Sequence, residues 1–140
     1  MILLNDFFAI QHLQTEQELI TADIELNPQH RIFEGHFPGQ PVVPGVCMMQ
    51  MVKEVLEDAL DIATNLSKAL DLKFLLVINP LETKSLQVKI KYSLPENDQY
   101  SLQAELVKGD KCFFKFSISC SRVTSPLSSI VSLRLVDDRL

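Results

Sequence analysis

Residues 35–50 read GHFPGQPVVPGVCMMQ, and the rest of the 140-residue chain is best interpreted around this stretch. It holds three of the four glycines and three of the seven prolines. Glycine permits positive φ and the close approach of another group, whereas proline fixes φ at about −65°. Such a concentration of backbone constraints predicts a stiff, shaped loop. The loop ends at Pro44-Gly45, where an apolar helix is predicted to begin.

The predicted helix, over roughly residues 44–60, is unusually apolar at its start. Residues 46–52 are apolar except for Gln50, and charge returns with Lys53 and Glu54. Because a helix that is apolar on all sides is a buried helix, its first two turns are predicted to be enclosed, with Gln50 held inside. A buried amide needs hydrogen-bond partners, so Gln50 is either a satisfied core residue or part of a site.

Apolar–polar alternation predicts strands on both sides of this helix. Two segments before the helix and four after it are strand candidates: 8–13, 20–26, 66–78, 86–94, 100–106 and 114–120. Turn residues at 95–98 and 108–111 favour hairpins, and therefore an antiparallel sheet. A sheet with one apolar face must be covered, and the helix is apolar enough to cover it. The pattern predicts an α+β domain in which an antiparallel sheet wraps around one long central helix.

We expect one domain over residues 1–122. Residues 123–140 fall outside the strand pattern and form a C-terminal extension. Residues 131, 133 and 135 are apolar and alternate with polar residues at 132 and 134. The extension is therefore predicted to be a docked edge strand, with a disordered tail as the alternative.

Composition excludes several classes of protein. The net charge of −5 argues against nucleic-acid binding. No apolar run is long enough to span a membrane, and the first residues lack a secretory signal, so a cytoplasmic protein is expected. The three cysteines are odd in number and show no CxxC spacing. They are predicted to be reduced, buried thiols and not a disulfide framework or a zinc site.

The order of residues 35–46 is similar to the signature of the 3-hydroxyacyl-acyl-carrier-protein dehydratases, a family of the hotdog superfamily. That signature runs Gly-His-Phe-Pro, then Pro, then Pro-Gly-Val, and the matching positions are Gly35, His36, Phe37, Pro38, Pro41, Pro44, Gly45 and Val46. The order of strands and helix extends the resemblance weakly over residues 7–122. One position departs from the family. Its acid, usually Glu, falls on Gln50, and its common helix pattern Glu-x-x-x-Gln is reversed here as Gln50 and Glu54.

The resemblance implies a hydro-lyase that converts 3-hydroxyacyl thioesters into trans-2-enoyl thioesters in fatty-acid or related polyketide-type biosynthesis, without a metal or redox cofactor. It makes His36 the base, and a candidate for both acid and base, which suits a side chain with a usual pKa of ~6.5. It places the backbone N–H of Gly45 against the thioester carbonyl, where a helix N-terminus stabilises developing negative charge. His12 and His30 belong to no recognisable motif and are predicted to be surface or loop residues.

Gln50 leaves three interpretations open, because an amide can orient a hydroxyl but cannot act as a proton donor near neutral pH. In the first interpretation, His36 acts alone or with water while Gln50 only positions the substrate. Alternatively, Glu54, one helical turn further on, supplies the carboxylate, unless it is simply solvated where the helix emerges. In the third, the chain is a weak or inactive thioester-binding subunit. A hotdog thioesterase is a further possibility, but it would also need a carboxylate on this helix.

The resemblance also implies a narrow acyl tunnel beside the helix. Its candidate lining residues, each equally explained as core, are Val43, Cys47, Met48, Met51 and Phe74. Further candidate substrate-binding residues are Phe37, Pro44, Val46 and Glu54. The implied partner is an acyl-carrier protein or another acyl thioester, and Arg31, Lys73 and Lys84 are candidate docking residues for an acidic carrier. In the family, the histidine and the acid of one site come from different subunits. We therefore expect a homodimer or a higher oligomer of dimers, with sheets joined edge to edge, or a mixed dimer with an acid-bearing partner.

Overall fold

The structure, a computed structural model, describes residues 2–34, 41–93 and 99–123. In these ranges the chain forms six strands, one α-helix and one short 3-10 helix. Their bounds are β1 Phe8–Glu16, β2 Leu19–Leu26, the 3-10 helix Arg31–Phe33, α1 Gly45–Leu60, β3 Ala63–Phe74, β4 Ser85–Tyr92, β5 Gln99–Lys108 and β6 Lys111–Val123.

The six strands form one antiparallel sheet in the order β1-β2-β4-β5-β6-β3. Alternate residues of the strands are buried, and they form one core with the buried side chains of α1. The sheet curls around this single helix, which is the hotdog arrangement. The predicted fold class is therefore confirmed.

The pairing of β2 with β4 shows why apolar–polar alternation in the sequence predicted these two strands. Ile20 pairs with Ile90, and Ala22 with Val88, so the buried side chains of the two strands form continuous rows. The intervening polar residues, such as Asp23 and Lys89, point to the outer face. At the β5–β6 hairpin, Gly109 adopts a φ of 57°, a conformation that glycine takes without steric cost.

Strand β3 differs from its prediction in both bounds. It begins at Ala63 and ends at Phe74, instead of spanning 66–78. The chain leaves the ladder after Phe74, because the N–H groups of Leu75 and Leu76 both donate to the carbonyl of Phe113, at 2.9 and 3.2 Å. Two register shifts within β3 also break its alternation, which explains why a periodic pattern did not mark its ends.

Helix α1 matches its predicted bounds, but it is not enclosed on every side. Within the described residues, Val46 is 63% exposed and Gln50 is only half-buried, so the prediction of two fully enclosed turns is wrong. The reason is that the sheet covers one face of the helix. The helix ends at Asp61, which takes a left-handed conformation (φ 53°) and donates its N–H to the carbonyl of Glu57. In the part of the chain that the structure describes, no helix has the length and hydrophobicity needed to cross a membrane.

Several predicted features lie outside the described residues. They are the loop residues 35–40, which include His36 and Phe37, the turn at 95–98, and the extension after Val123. The edge strand or disordered tail expected there therefore stays a prediction. The described chain does include a feature that was not predicted: residues before β1 pack into the core, with Leu3 and Phe7 both buried.

Candidate functional site

The start of helix α1 is fixed by the residues just before it. The N–H of Val43 donates to the carbonyl of Ile78 at 2.9 Å, which holds the chain in an extended approach. Pro44 is the N-cap (φ −65°, ψ 147°), and its carbonyl accepts the N–H of Cys47 at 3.0 Å. Proline offers no side-chain acceptor, so the N-cap residue itself makes no side-chain cap at this helix end. The N–H groups of Gly45 and Val46 are the first of the helix and have no acceptor within it.

Gly45 lies directly against an aromatic ring. A Cβ atom at this position would lie 2.7 Å from two ring carbons of Phe74, closer than real contacts allow. Phe74 in turn stacks on Phe114, with ring centroids 4.7 Å apart. A side chain at residue 45 would therefore force the ring of Phe74 to move, which favours glycine at this position. Phe74 is 55% exposed, so one side of its ring remains accessible beside the predicted thioester site.

Gln50 and Glu54 form a hydrogen-bonded pair on the next turns of α1. The amide nitrogen Nε2 of Gln50 donates to the Glu54 oxygen Oε2 at 2.9 Å. Glu54 is only 7% exposed, so the expectation of a solvated residue at the emerging end of the helix is wrong. The physical reason is position: residue 54 follows Cys47 and Met51 at helical spacing on the buried face, and the N-terminal segment covers it.

Two backbone N–H groups complete the surroundings of Glu54. The N–H of Leu3 lies 2.9 Å from both carboxylate oxygens, and the N–H of Leu4 lies 2.7 Å from Oε1. No cation pairs with Glu54 among the described residues. A buried carboxylate is costly unless it is hydrogen-bonded, and these contacts meet that requirement. They also disfavour the interpretation in which Glu54 serves as the acid for the substrate, because that role would have to break them.

The N-terminal segment is bound at a second point, which sequence reasoning missed. The His30 nitrogen Nε2 lies 2.9 Å from the Asp6 carboxylate, and Nδ1 accepts the N–H of Ile32 at 3.1 Å. The Asn27 side chain donates to the carbonyl of Asp6 at 3.0 Å. His30 is therefore a cap of the 3-10 helix and a tie to residue 6, not an isolated loop residue. The 3-10 helix leads directly into the loop that carries His36.

The candidate lining residues fall into two groups. Val43, Cys47, Met48 and Met51 are buried in the core of the single chain. Val46 and Phe74 are exposed and belong to a larger group of exposed apolar side chains, which we name the β3-edge patch: Val46, Leu72, Phe74, Leu75, Leu76, Val77 and Leu81. Strand β3 is an edge strand of the sheet. An apolar patch of this kind on a sheet edge is typical of an interface.

A groove of about 380 Å³ lies on the outer face of the sheet, lined by residues that include Lys73, Lys91 and Lys115. Lys91 follows buried Ile90 and Lys115 lies between buried Phe114 and Phe116, so the groove is on the opposite side of the sheet from the core that contains the helix. It is not part of the site at the helix start. Within the described ranges, no group of three or more His, Cys, Asp or Glu side chains is placed to hold a metal ion.

The cysteines are free, as predicted, but only two of them are buried. Burial raises the pKa of the Cys47 thiol above its usual 9.0. Burial, together with the nearby Glu57 carboxylate, raises the pKa of Cys120 to about 11. Both thiols are therefore protonated and poorly nucleophilic at neutral pH. Cys112 is only half-buried, because it lies on the outer-face side of its strand.

The comparisons with known proteins agree with this geometry. A family model described as the ApeI dehydratase, of the ApeI-like family, matches residues 11–125. No curated protein matches the sequence.

Solved structures show the same fold at low identity. A structure described as the dehydratase heterocomplex ApeI:P from Xenorhabdus doucetiae is 23% identical, with a TM-score of 0.65, and the match covers 81% of this chain and 96% of that one. An uncharacterised protein from Erwinia carotovora is 20% identical, with a TM-score of 0.59 and coverage of 81% and 92%. The PaaI protein of E. coli is 11% identical, with a TM-score of 0.59 and coverage of 81% and 80%.

Proposed function

Since the chain belongs to the ApeI-like dehydratase family, we propose that it takes part in the dehydration of 3-hydroxyacyl thioesters to trans-2-enoyl thioesters. The observation that carries the proposal is the helix start at Gly45, a few residues after His36 in the sequence, where the N-cap Pro44 offers no side-chain acceptor to the first backbone N–H groups. This arrangement suits a reaction in which negative charge develops on a carbonyl oxygen beside a general base.

The proposed reaction uses His36 for both proton transfers. Its imidazole takes the proton from C2 of the acyl chain, while the N–H of Gly45 stabilises the charge on the thioester oxygen. The bond between C3 and the hydroxyl oxygen then breaks as the double bond forms. The proton held by His36 passes to the leaving hydroxyl, which departs as water. Gln50 would orient the hydroxyl by hydrogen bonding, a role that an amide can fill.

A second function is favoured by the surroundings of position 50. Gln50 cannot donate a proton as an acid, and Glu54 is held by Leu3, Leu4 and Gln50. Such a chain could bind the thioester and leave the acid to a partner of the same fold. The similar structure from Xenorhabdus doucetiae is described as a dehydratase heterocomplex. We therefore keep, as the alternative, a weakly active subunit that pairs with an acid-bearing chain in a mixed dimer.

We further propose an acyl-carrier protein as the source of the thioester. Arg31, Lys73 and Lys84 are exposed, and Lys73 near the end of β3 and Lys84 just before β4 lie at the same end of the antiparallel sheet. Each of these two lysines has one carboxylate neighbour, Asp71 at 3.8 Å and Glu25 at 3.4 Å. Exposed ion pairs of this kind are weak, so an acidic carrier could compete for the lysines.

The test is a direct assay of hydration of a trans-2-enoyl thioester by the isolated chain. If His36 is the base, His36→Ala should lower turnover by about 10²-fold or more without unfolding the protein. The matched control is His12→Ala, which removes an exposed histidine from β1 and should leave turnover unchanged.

The outcomes separate the two functions. Activity of the isolated chain that depends on His36 supports the dehydratase. An inactive chain that becomes active on mixing with an acid-bearing partner, again dependent on His36, supports the mixed dimer. Unchanged turnover in a folded His36→Ala protein would exclude His36 from the mechanism.

A further inference from the structure

Glu54 connects the helix of the candidate site to the N-terminal segment, and no other described carboxylate is buried to this degree. We propose that Glu54 is a positioning residue: its carboxylate sets the orientation of the Gln50 amide, and the N–H groups of Leu3 and Leu4 hold that carboxylate in place. Its effect on catalysis rests on the proposed function, whereas the orientation itself does not.

The contacts of Glu54 define its role as an acceptor. Leu3, Leu4 and Gln50 all reach it through N–H groups, at distances of 2.7–2.9 Å. Hydrogen bonds from N–H groups to a carboxylate are shorter and stronger than those between neutral groups. Glu54 is also fixed on a helix whose other side chains on this face are buried. The carboxylate therefore has little freedom to turn.

This fixed acceptor determines which end of the Gln50 amide faces it. The amide carries donors only on Nε2 and acceptor lone pairs only on Oε1. Turning the amide by half a revolution would bring Oε1 against the carboxylate oxygen, two acceptors with no proton between them. Nε2 must therefore face Glu54, and Oε1 is directed away from it. Glu54, one turn further along the helix, thus determines which end of the Gln50 amide faces it.

The N-terminal segment makes this orientation depend on tertiary structure. Leu3 is buried, and its carbonyl accepts the N–H of Phe7 at 2.7 Å, which shapes the turn before β1. We name residues 3–7 the N-terminal clasp. At one end the clasp binds Glu54 on α1, and at the other Asp6 binds His30, just before the 3-10 helix. It thereby joins the helix of the candidate site to the segment that leads into the loop 35–40.

The experiment observes the Gln50 side-chain amide by NMR in ¹⁵N-labelled protein, with its resonances assigned by their loss in Gln50→Met. In the wild type, one amide proton should be shifted downfield and should exchange slowly with water. Glu54→Gln should abolish that shift, because the introduced amide can no longer offer two carboxylate oxygens to three N–H groups. Wild-type-like Gln50 resonances in a folded Glu54→Gln protein would overturn the proposal.

Glu57→Gln is the matched control. Glu57 lies on the same helix and also accepts hydrogen bonds, but its donors are Lys53 and the N–H and hydroxyl of Thr64. Its substitution removes a structural carboxylate and should leave the Gln50 resonances in place. If they moved as much as in Glu54→Gln, the effect would be general loosening of the helix and the proposal would fail.

A measurement on the wild type decides the matter if Glu54→Gln does not fold. The side-chain amide protons of Gln50 should show nuclear Overhauser contacts to the side-chain methylene protons of Glu54, because Nε2 lies 2.9 Å from the carboxylate. Gln50 amide protons without these contacts would overturn the proposal without any variant.

Activity gives the catalytic part of the test. If the chain is a dehydratase, Glu54→Gln should lower kcat by about tenfold, the lower end of what supporting hydrogen bonds contribute at other sites, with little change in KM. Glu57→Gln should not lower kcat to that extent. A wild type without activity, alone or with a partner, would contradict the proposed function, while the NMR result would still decide whether Glu54 orients Gln50.

Discussion

At position 50, the amide nitrogen lies 2.9 Å from a carboxylate oxygen of Glu54, so a substitution at either position changes the surroundings of the other. The resemblance described above implies that these two residues stand in the reverse of the family's common order. In the structure they are the two members of one hydrogen bond. Placing an acid at position 50 therefore cannot be considered without the carboxylate already present at position 54.

We predict that Gln50→Glu raises dehydration by about tenfold or more, if a missing proton donor limits the wild type. It would place two carboxyl groups side by side. Like charges at this distance raise the pKa of one of them, so the pair would hold one proton. A group whose pKa is raised by folding stabilises the protein below its unfolded pKa and loses that contribution as pH rises through the folded value. Thermal stability should therefore fall, relative to wild type, as pH increases.

The control for this variant is the exchange Gln50→Glu with Glu54→Gln, measured in the same activity and melting experiments. It leaves one carboxylate and one amide, so the added loss of stability with rising pH seen in the single variant should disappear while the gain in activity remains. If instead the wild type uses Glu54 as its acid, Glu54→Gln alone should abolish activity and Gln50→Glu should help little. Full activity in all three variants would mean that His36 needs no carboxylate partner.

At the scale of elements, the contact between helix α1 and strand β3 is the feature that shapes the start of the site. Pro44 and Gly45 were predicted to begin the helix, and they do. Their spacing could not reveal that Gly45 also accommodates the ring of Phe74, because that contact joins residues far apart in sequence. The predicted helix start is therefore correct, and the contact with Phe74 adds a constraint on residue 45 that the local pattern did not contain.

Gly45→Ala tests this contact. The added methyl group would displace Phe74 from its stacking on Phe114, a contact worth about 0.5–1.5 kcal/mol. We expect a loss of unfolding free energy of about 1 kcal/mol by chemical denaturation. In a Phe74→Ala background the clash is absent, and the same change should be neutral or stabilising by a few tenths of a kcal/mol, since alanine is favoured over glycine in helices. Equal effects in both backgrounds would show that the ring does not constrain residue 45.

The sequence predicted a strand well where its buried and exposed side chains alternate residue by residue. Strands β2 and β4 have one buried face and strict alternation, and both were found from the sequence. Strand β3 contains two register shifts, so its ends were misplaced. The spacing of Glu54 after Cys47 and Met51 places it on the buried face of the helix. Its charge favours exposure, and the prediction of a solvated side chain followed from the charge. Its partners, Leu3 and Leu4, are about fifty residues away, and no local pattern indicates such a contact.

For the whole molecule, the distribution of exposed apolar residues is uneven. Apart from Ile2 and Leu19, the large apolar side chains that are exposed in the described ranges belong to the β3-edge patch. The patch includes Val77, at 71% exposure, and it adjoins the helix start where Val46 and Phe74 lie. An edge strand beside such a patch offers both backbone hydrogen-bonding groups and apolar surface to a second chain. This supports the expectation of dimers whose sheets join edge to edge, with each site near the junction.

We therefore predict that the protein sediments as a dimer at micromolar concentration, as a homodimer or with its partner chain. Val77→Glu should shift it to monomer, because a carboxylate buried in an apolar interface loses its hydration without gaining a partner. Leu19→Glu is the control: Leu19 is also an exposed leucine, at 44%, but it lies at the start of β2, away from β3. That variant should remain a dimer. A wild type that sediments only as monomer, alone and with an acid-bearing partner chain, would contradict the dimer. The site would then have to be completed within one chain, with Gln50 in place of an acid.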